Sequence, residues 1–338
     1  METVFVTGGT GLVGSHIICQ LLDRGDRVKA LVRQGSDRSW FDRLARYTFK
    51  EAYETRVGNL TWCEGDVTDI VSLADHLEDC SKVYHAAALV SFSKKDKAQL
   101  LQINVEGTAN VINACLSMNE RPELCYISST ASIGGSPNVM VDESYPYSAE
   151  NATSYYSYTK YLAELEAFRG REEGLNIAII NPCIVLGFGN WNKGPSKFFK
   201  NGKNGFPFYT TGSNAFVDAR DVALACIELI EKKVFADRFL CTGSNQTYHQ
   251  VFSAIASRFG SKLPRVKVNR WMAEVAWRLA GVLSFFTGDG LITKESSRAG
   301  MKNMKYSSAR LVDTLEFRFT DFEKTIENTC DAYLSLVD

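Results

Sequence analysis

Apolar residues recur along the first half of this chain in two alternating rhythms. Short β-branched and apolar runs at 4–7, 27–32, 60–63, 82–85, 124–128 and 176–181 read as strands. Between them, apolar positions three and four apart predict helices at 12–23, 70–78, 97–118 and 154–172. Strand–helix alternation of this kind predicts an α/β fold, a doubly wound parallel sheet covered on both faces. After Pro182 the rhythm fades. Residues 187–212 are rich in Gly, Asn and aromatics and read as loops around a pocket. Regular patterns resume at 216–217, 222–231, 238–241 and 248–259, with helical regions at 270–286 and 320–336. The organisation predicted is a core over 1–182 and a smaller lobe over 183–338. Segments around 214–242 return to the core, so the two form one integrated unit.

The first strand runs straight into Thr7-Gly8-Gly9-Thr10-Gly11-Leu12-Val13-Gly14, and helical periodicity begins at once. Such a turn lets backbone N–H groups approach a pyrophosphate at the positive end of a helix. Thr7, Gly8, Thr10, Gly11, Leu12 and Val13 are therefore candidate dinucleotide contacts. The second strand ends at Val32-Arg33. An acidic residue there suits the ribose 2′-hydroxyl of NAD, whereas an Arg accommodates the 2′-phosphate of NADP. Arg33 predicts NADP(H) as the preferred cofactor, with NAD(H) as the alternative. A solvated Arg in a surface loop is the competing explanation.

Composition narrows the classes. The 338 residues carry a net charge of −1, which argues against a nucleic-acid groove. No apolar run is long enough to span a bilayer, and no basic segment precedes the first apolar run. The expectation is no signal peptide, no integral membrane segment and a cytoplasmic location. Nine scattered cysteines without a Cys-x-x-Cys pair read as buried thiols, and four histidines lack metal-ligand spacing.

Tyr156 and Lys160 stand four apart in a helical pattern, hence on one face. An ammonium near the Tyr156 phenol would favour phenolate and lower a pKa that starts near ~10. A phenol tuned in this way can exchange a proton with a carbonyl or alcohol oxygen. Ser128-Ser129-Thr130 ends the fifth strand, where hydroxyls could hold a reacting oxygen or simply satisfy a turn.

Glycine loop, strand-end hydroxyls and Tyr-x-x-x-Lys, in that order, resemble the short-chain dehydrogenase/reductase family. The form of the glycine loop is similar to its extended branch, the epimerase/dehydratase and dihydroflavonol-reductase-like group, which also includes 3β-hydroxysteroid dehydrogenase-like enzymes. The resemblance implies a Rossmann-type sheet with a substrate-covering lobe. It implies Tyr156 as general acid/base, Lys160 holding the nicotinamide ribose, and Thr130 binding the reacting oxygen, with Ser129 as contender. It also implies cofactor contacts at Asp66 and Val67, at Ala86 and Ala87, and at Pro182 and Ile184. A homodimer through paired helices follows from the resemblance alone.

Within that group, epimerases often carry a tyrosine just past the strand-end hydroxyls, and dehydratases carry an Asp-Glu pair. This chain has Ala131, Ser132 and Ile133 there. Phe188, Trp191, Phe198, Phe199, Phe206, Phe208, Tyr209 and Phe216 read as apolar pocket walls, with core packing as the alternative. The expectation is reduction of an apolar ketone or aldehyde, or oxidation of the matching alcohol. Lys193, Lys197, Lys200 and Lys203 keep a nucleotide-sugar epimerase as second reading. A non-catalytic dinucleotide sensor is the third, although such proteins lose the Tyr or the Lys.

Overall fold

The computed structural model describes residues 2–235, 237–269, 271–272 and 300–337. The first strands and helices are β1 (Thr3–Thr7), α1 (Leu12–Arg24), β2 (Arg27–Val32), α2 (Ser39–Phe49), β3 (Leu60–Glu64), α3 (Ile70–Leu77) and β4 (Lys82–His85). There follow α4 (Gly107–Ser117), β5 (Glu123–Ile127), α5 (Tyr155–Glu172) and β6 (Ile177–Pro182). The second half holds β7 (Ile184–Leu186), β8 (Ser213–Asp218), α6 (Ala219–Glu231), β9 (Arg238–Cys241), β10 (Ser244–Thr247), α7 (Tyr248–Arg258) and α8 (Phe322–Val337).

Seven strands form one parallel sheet in the order β9-β6-β5-β4-β1-β2-β3. Chain direction across the sheet reverses between β1 and β4, and a crevice opens at their carboxyl ends, where such folds bind ligands. Alternation along β1 explains the two layers. Val4 and Val6 pack with Ile17, Ile18 and Leu21 of α1 on one face. Phe5 joins Val83, Ile112 and Ile177 on the other. All six residues of β6 are buried, as a strand covered on both faces must be. Gly25, at φ 90°, ends α1 in the left-handed region and caps it through bonds to Leu21 and Leu22 carbonyls.

Strand β9 extends the large sheet beside β6, and Val222, Ala223 and Cys226 of α6 share the core of α1. Strands β10-β8-β7 form a small second sheet.

Two features differ from the predicted elements. Helix α2 was not among the predicted elements, although Phe41, Leu44, Ala45 and Phe49 stand at helical spacing and form the stripe that it buries, with Asp42, Arg43 and Arg46 on its other faces. The helix expected over 97–118 contains a π-helical stretch at Gln102–Glu106. Within that stretch, the Asn104 side chain clamps both the N–H and the C=O of Leu89 and also reaches Thr159 of α5. Of the apolar stretch 270–286, only Trp271 and Met272 lie among the described residues.

Candidate active site

The glycine turn is built for close approach. Gly8 has φ 71°, and a Cβ there would lie 2.6 Å from the backbone of Ala86 and Ala87. A Cβ on Gly14 would lie 2.3 Å from the Gly8 carbonyl oxygen. Gly11 is the N-cap of α1, offers no side-chain cap, and is followed by a first turn without acidic residues. The leading N–H groups of α1 therefore lack a protein anion, and this end of the helix suits a pyrophosphate. Thr10 and Gly11 are exposed, and Leu12 and Val13 partly so. Thr7 differs, being fully buried.

Thr7 instead ties β1 to β4. Its Oγ1 lies 2.7 Å from His85 Nδ1 and accepts the Ala87 N–H. His85 Nε2 meets Thr108 Oγ1 at 3.0 Å, and that hydroxyl donates to the Asn104 carbonyl. With the Thr108 proton committed there, His85 fits as a neutral ring that donates from Nε2 and accepts at Nδ1. Burial, aided by the Lys160 charge, lowers its pKa from 6.5 to about 3.

At the end of β5, Ser129 caps a short helical turn, Thr130–Ile133, by accepting the Ala131 N–H. Its hydroxyl also stands beside the phenol of Tyr156 and opposes the rise of its pKa. Thr130, 7% exposed, stands beside Tyr306, whose own hydroxyl donates to the Gly134 carbonyl at 3.1 Å. The two strand-end candidates thus stand side by side, Ser129 next to Tyr156 and Thr130 next to Tyr306.

Lys160 corrects one expectation. It shares the face of α5 with Tyr156, yet its ammonium donates to Tyr126 Oη at 2.9 Å and the Ile127 carbonyl at 3.0 Å. The side chain is 1% exposed, so its donors take the nearest buried acceptors. The Tyr156 phenol is accordingly not acidified. Desolvation pushes its pKa up to about 12, against a smaller opposing effect from Ser129. Burial pulls Lys160 down to about 7, opposed by Glu164.

The remaining candidates stand at the carboxyl ends of β2, β3, β4 and β6 or just beyond them. Arg33 is exposed at the end of β2. One Asp66 carboxylate oxygen is held by the N–H and hydroxyl of Thr68, and Val67 is buried beneath. Ala86, Ala87 and Ile184 are partly exposed, whereas Pro182 is buried.

The aromatic set divides, mostly toward packing. Phe188, Trp191, Phe199 and Phe216 are buried, and Phe206 and Phe208 are exposed at the surface. Trp191 packs on Phe188, Phe199, Trp40 and Tyr333. Among the described residues, a ring the sequence did not single out stands beside Tyr156. Phe92 stands edge-on to Tyr156 at 6.0 Å, on the loop before Lys97–Leu101. Two lysines are occupied elsewhere, Lys200 by Asn192 and Lys203 by the Tyr333 ring.

This crevice, strand-end hydroxyls and Tyr/Lys helix belong to a known lineage. The model of the NAD dependent epimerase/dehydratase family matches residues 4–239, and the chain belongs to that family. It is an NAD(P)-dependent oxidoreductase of the extended short-chain dehydrogenase/reductase type. Cinnamoyl-CoA reductase 1 of Petunia hybrida is 31% identical over 254 residues, 72% of this chain and 73% of that protein. Sterol demethylase protein B of Methylococcus capsulatus is 29% identical over 272 residues, 79% of this chain and 77% of that protein. The crystal structure of gox2253 superposes with a TM-score of 0.80 at 26% identity, covering 99% of this chain and 98% of that one.

Proposed function

We propose that this protein reduces the ketone or aldehyde of a fairly apolar small molecule, with NADP(H) preferred to NAD(H). What carries the reading is the placing of the Tyr156 phenol, at the start of α5, beside the Ser129 hydroxyl that follows β5. Bound NADPH supplies the hydride that the carbonyl carbon accepts. Tyr156 donates a proton to the carbonyl oxygen as charge develops there. The strand-end hydroxyls of Ser129 and Thr130 orient that oxygen. Lys160 has two of its three donors occupied among the described residues, which leaves one for a ribose hydroxyl. The α1 N-terminus and the glycine turn hold the pyrophosphate, with Ala86, Ala87, Pro182 and Ile184 beside the rings.

Two facts support the apolar substrate. Phe92 walls the phenol, and the relatives' names refer to cinnamoyl and sterol compounds. The exposed guanidinium of Arg33 supports NADP(H), because its planar fork suits a 2′-phosphate. All nine cysteines are free and buried, which supports a reducing compartment such as the cytoplasm.

The test is NADPH oxidation over a panel of aryl aldehydes and cyclic ketones, run beside NADH, with Arg33→Asp as a variant. The expected result is carbonyl-dependent oxidation and a preference for NADPH that falls at least about tenfold in the variant, since charge-assisted pairs are the strong ones. Interconversion of a UDP-hexose without carbonyl reduction would replace this reading with the epimerase.

A further inference from the structure

One turn of α5 beyond Lys160, Glu164 is fully buried and both its oxygens are occupied. Oε1 accepts from Arg238 at 3.0 Å. Oε2 accepts from Asn181 at 2.7 Å, from Ser132 at 2.6 Å and from Ser128. Four elements therefore meet on one carboxylate: α5, the end of β5, β6 and β9. Ser128 and Ser132 bracket Ser129 and Thr130, so the hydroxyls offered to the substrate sit in a turn pinned at both ends by this group. A buried carboxylate is costly unless paired and hydrogen-bonded. A neutral side chain could hold the turn as well as an ion, but it could not act on Lys160.

We propose that Glu164 is a positioning residue of this active site, fixing the 128–132 turn and holding the Lys160 ammonium charged in its buried seat. The inference rests on the role of Lys160 given above. Lys160 faces Tyr156 and Glu164 from its own helix, Tyr126 from β5 and His85 from β4. Glu164 in turn faces Arg238 from β9. Among these groups Glu164 is the anion that opposes the loss of the lysine proton. Its ion pair is with Arg238, at 3.0 Å, and Lys160, one turn back on α5, feels the same carboxylate without bonding to it.

Glu164→Gln keeps the volume and removes the charge. Lysine labelled with ¹³C at Cε gives a titration of the cofactor-free protein, with the Lys160 resonance assigned by its loss in Lys160→Met. The expected result is that the Lys160 midpoint falls by one pH unit or more in Glu164→Gln, a tenfold change in its proton affinity. The alkaline limit of NADPH affinity should fall with it. Should Glu164→Gln not fold, Glu164→Asp retracts the charge by one methylene, and a smaller shift in the same direction is expected. A purely structural carboxylate would leave the midpoint in place in either variant, and that result overturns the proposal. The lysine titration needs neither substrate nor cofactor. An enzyme that fails to reduce carbonyls yet shows the shift would refute the function and leave this inference standing.

Discussion

Tyr156 and Lys160 have protonation preferences opposite to those their spacing suggests. The phenol sits near 12 and the ammonium near 7. A phenol of this kind is fully protonated at neutral pH, which suits donation to a carbonyl oxygen better than removal of an alcohol proton. Tyr156→Phe should therefore lower turnover by about 10²–10⁴-fold, the range of a positioned general acid, with NADPH affinity unchanged by fluorescence titration. Wild-type rates in that variant would remove Tyr156 from the chemistry. Lys160 carries a cost that is visible in stability. Its folded pKa lies below its unfolded value of 10.5. Below pH 7 both states are charged and the full burial penalty is present. Between 7 and 10.5 the folded state sheds the proton and the penalty fades. Lys160→Met should thus raise Tm more at pH 6 than at pH 9 while abolishing activity. An equal gain at both pH values would contradict the buried ammonium.

At the scale of elements, α1 separates binding from stability. Its N-cap, Gly11, has an extended backbone (φ −85°, ψ 169°) and lacks the side-chain acceptor that most helices use. Gly11→Asp supplies that acceptor, an effect of about 1 kcal/mol, and places a negative charge where a pyrophosphate would bind. A Cβ there would stand 3.1 Å from the Gly8 carbonyl oxygen, which offsets the gain of the cap, so the expected outcome is read on binding: NADPH affinity lost at least tenfold with the fold retained by circular dichroism. Retained affinity would move the pyrophosphate away from this helix end. The same element shows why half the molecule was legible beforehand. In β1, α1 and β4, local periodicity and burial agree, so their bounds follow from the residues alone. Helix α2 was equally legible, since Phe41, Leu44, Ala45 and Phe49 recur at helical spacing, and the prediction passed it over. The π stretch at 102–106 depends on Asn104 gripping a distant loop, which no local pattern encodes. The candidate site was legible as a set of residue types but not as side-chain directions. Ser129 and Thr130 diverge by one residue of turn geometry, and Lys160 chooses Tyr126 over Tyr156. Glu164 passed as one more polar helix residue. Its spacing of four from Lys160 was the available signal.

At the scale of the whole molecule, one apolar core runs from Val4 and Ile17 through α6 to Phe199, Leu311 and Tyr333. The nucleotide half and the lobe should therefore unfold together. Two buried histidines make that unfolding sensitive to acid. His16 and His85 are held neutral, with folded pKa values of about 4 and about 3 against 6.5 unfolded. The stability their neutral rings contribute is complete above pH 6.5 and is lost as pH falls toward those values. Between pH 6.5 and 5 each should remove about 2 kcal/mol, and His85→Asn should flatten that slope by about half. Trp191 tests the shared core directly. It is 4% exposed and packs against Trp40 of α2, Phe199 of the lobe and Tyr333 of α8, at ring separations of 6.3, 6.1 and 4.8 Å. Trp191→Ala removes the side chain that these three elements share, and large aromatic truncations cost about 3–5 kcal/mol. Urea unfolding followed by both far-ultraviolet circular dichroism and NADPH release should give coincident single transitions in the wild type. The variant should show the same coincidence at a lower midpoint. Two separated transitions in the wild type would mean that the lobe is held by its own core, and that the common aromatic contact is incidental to folding.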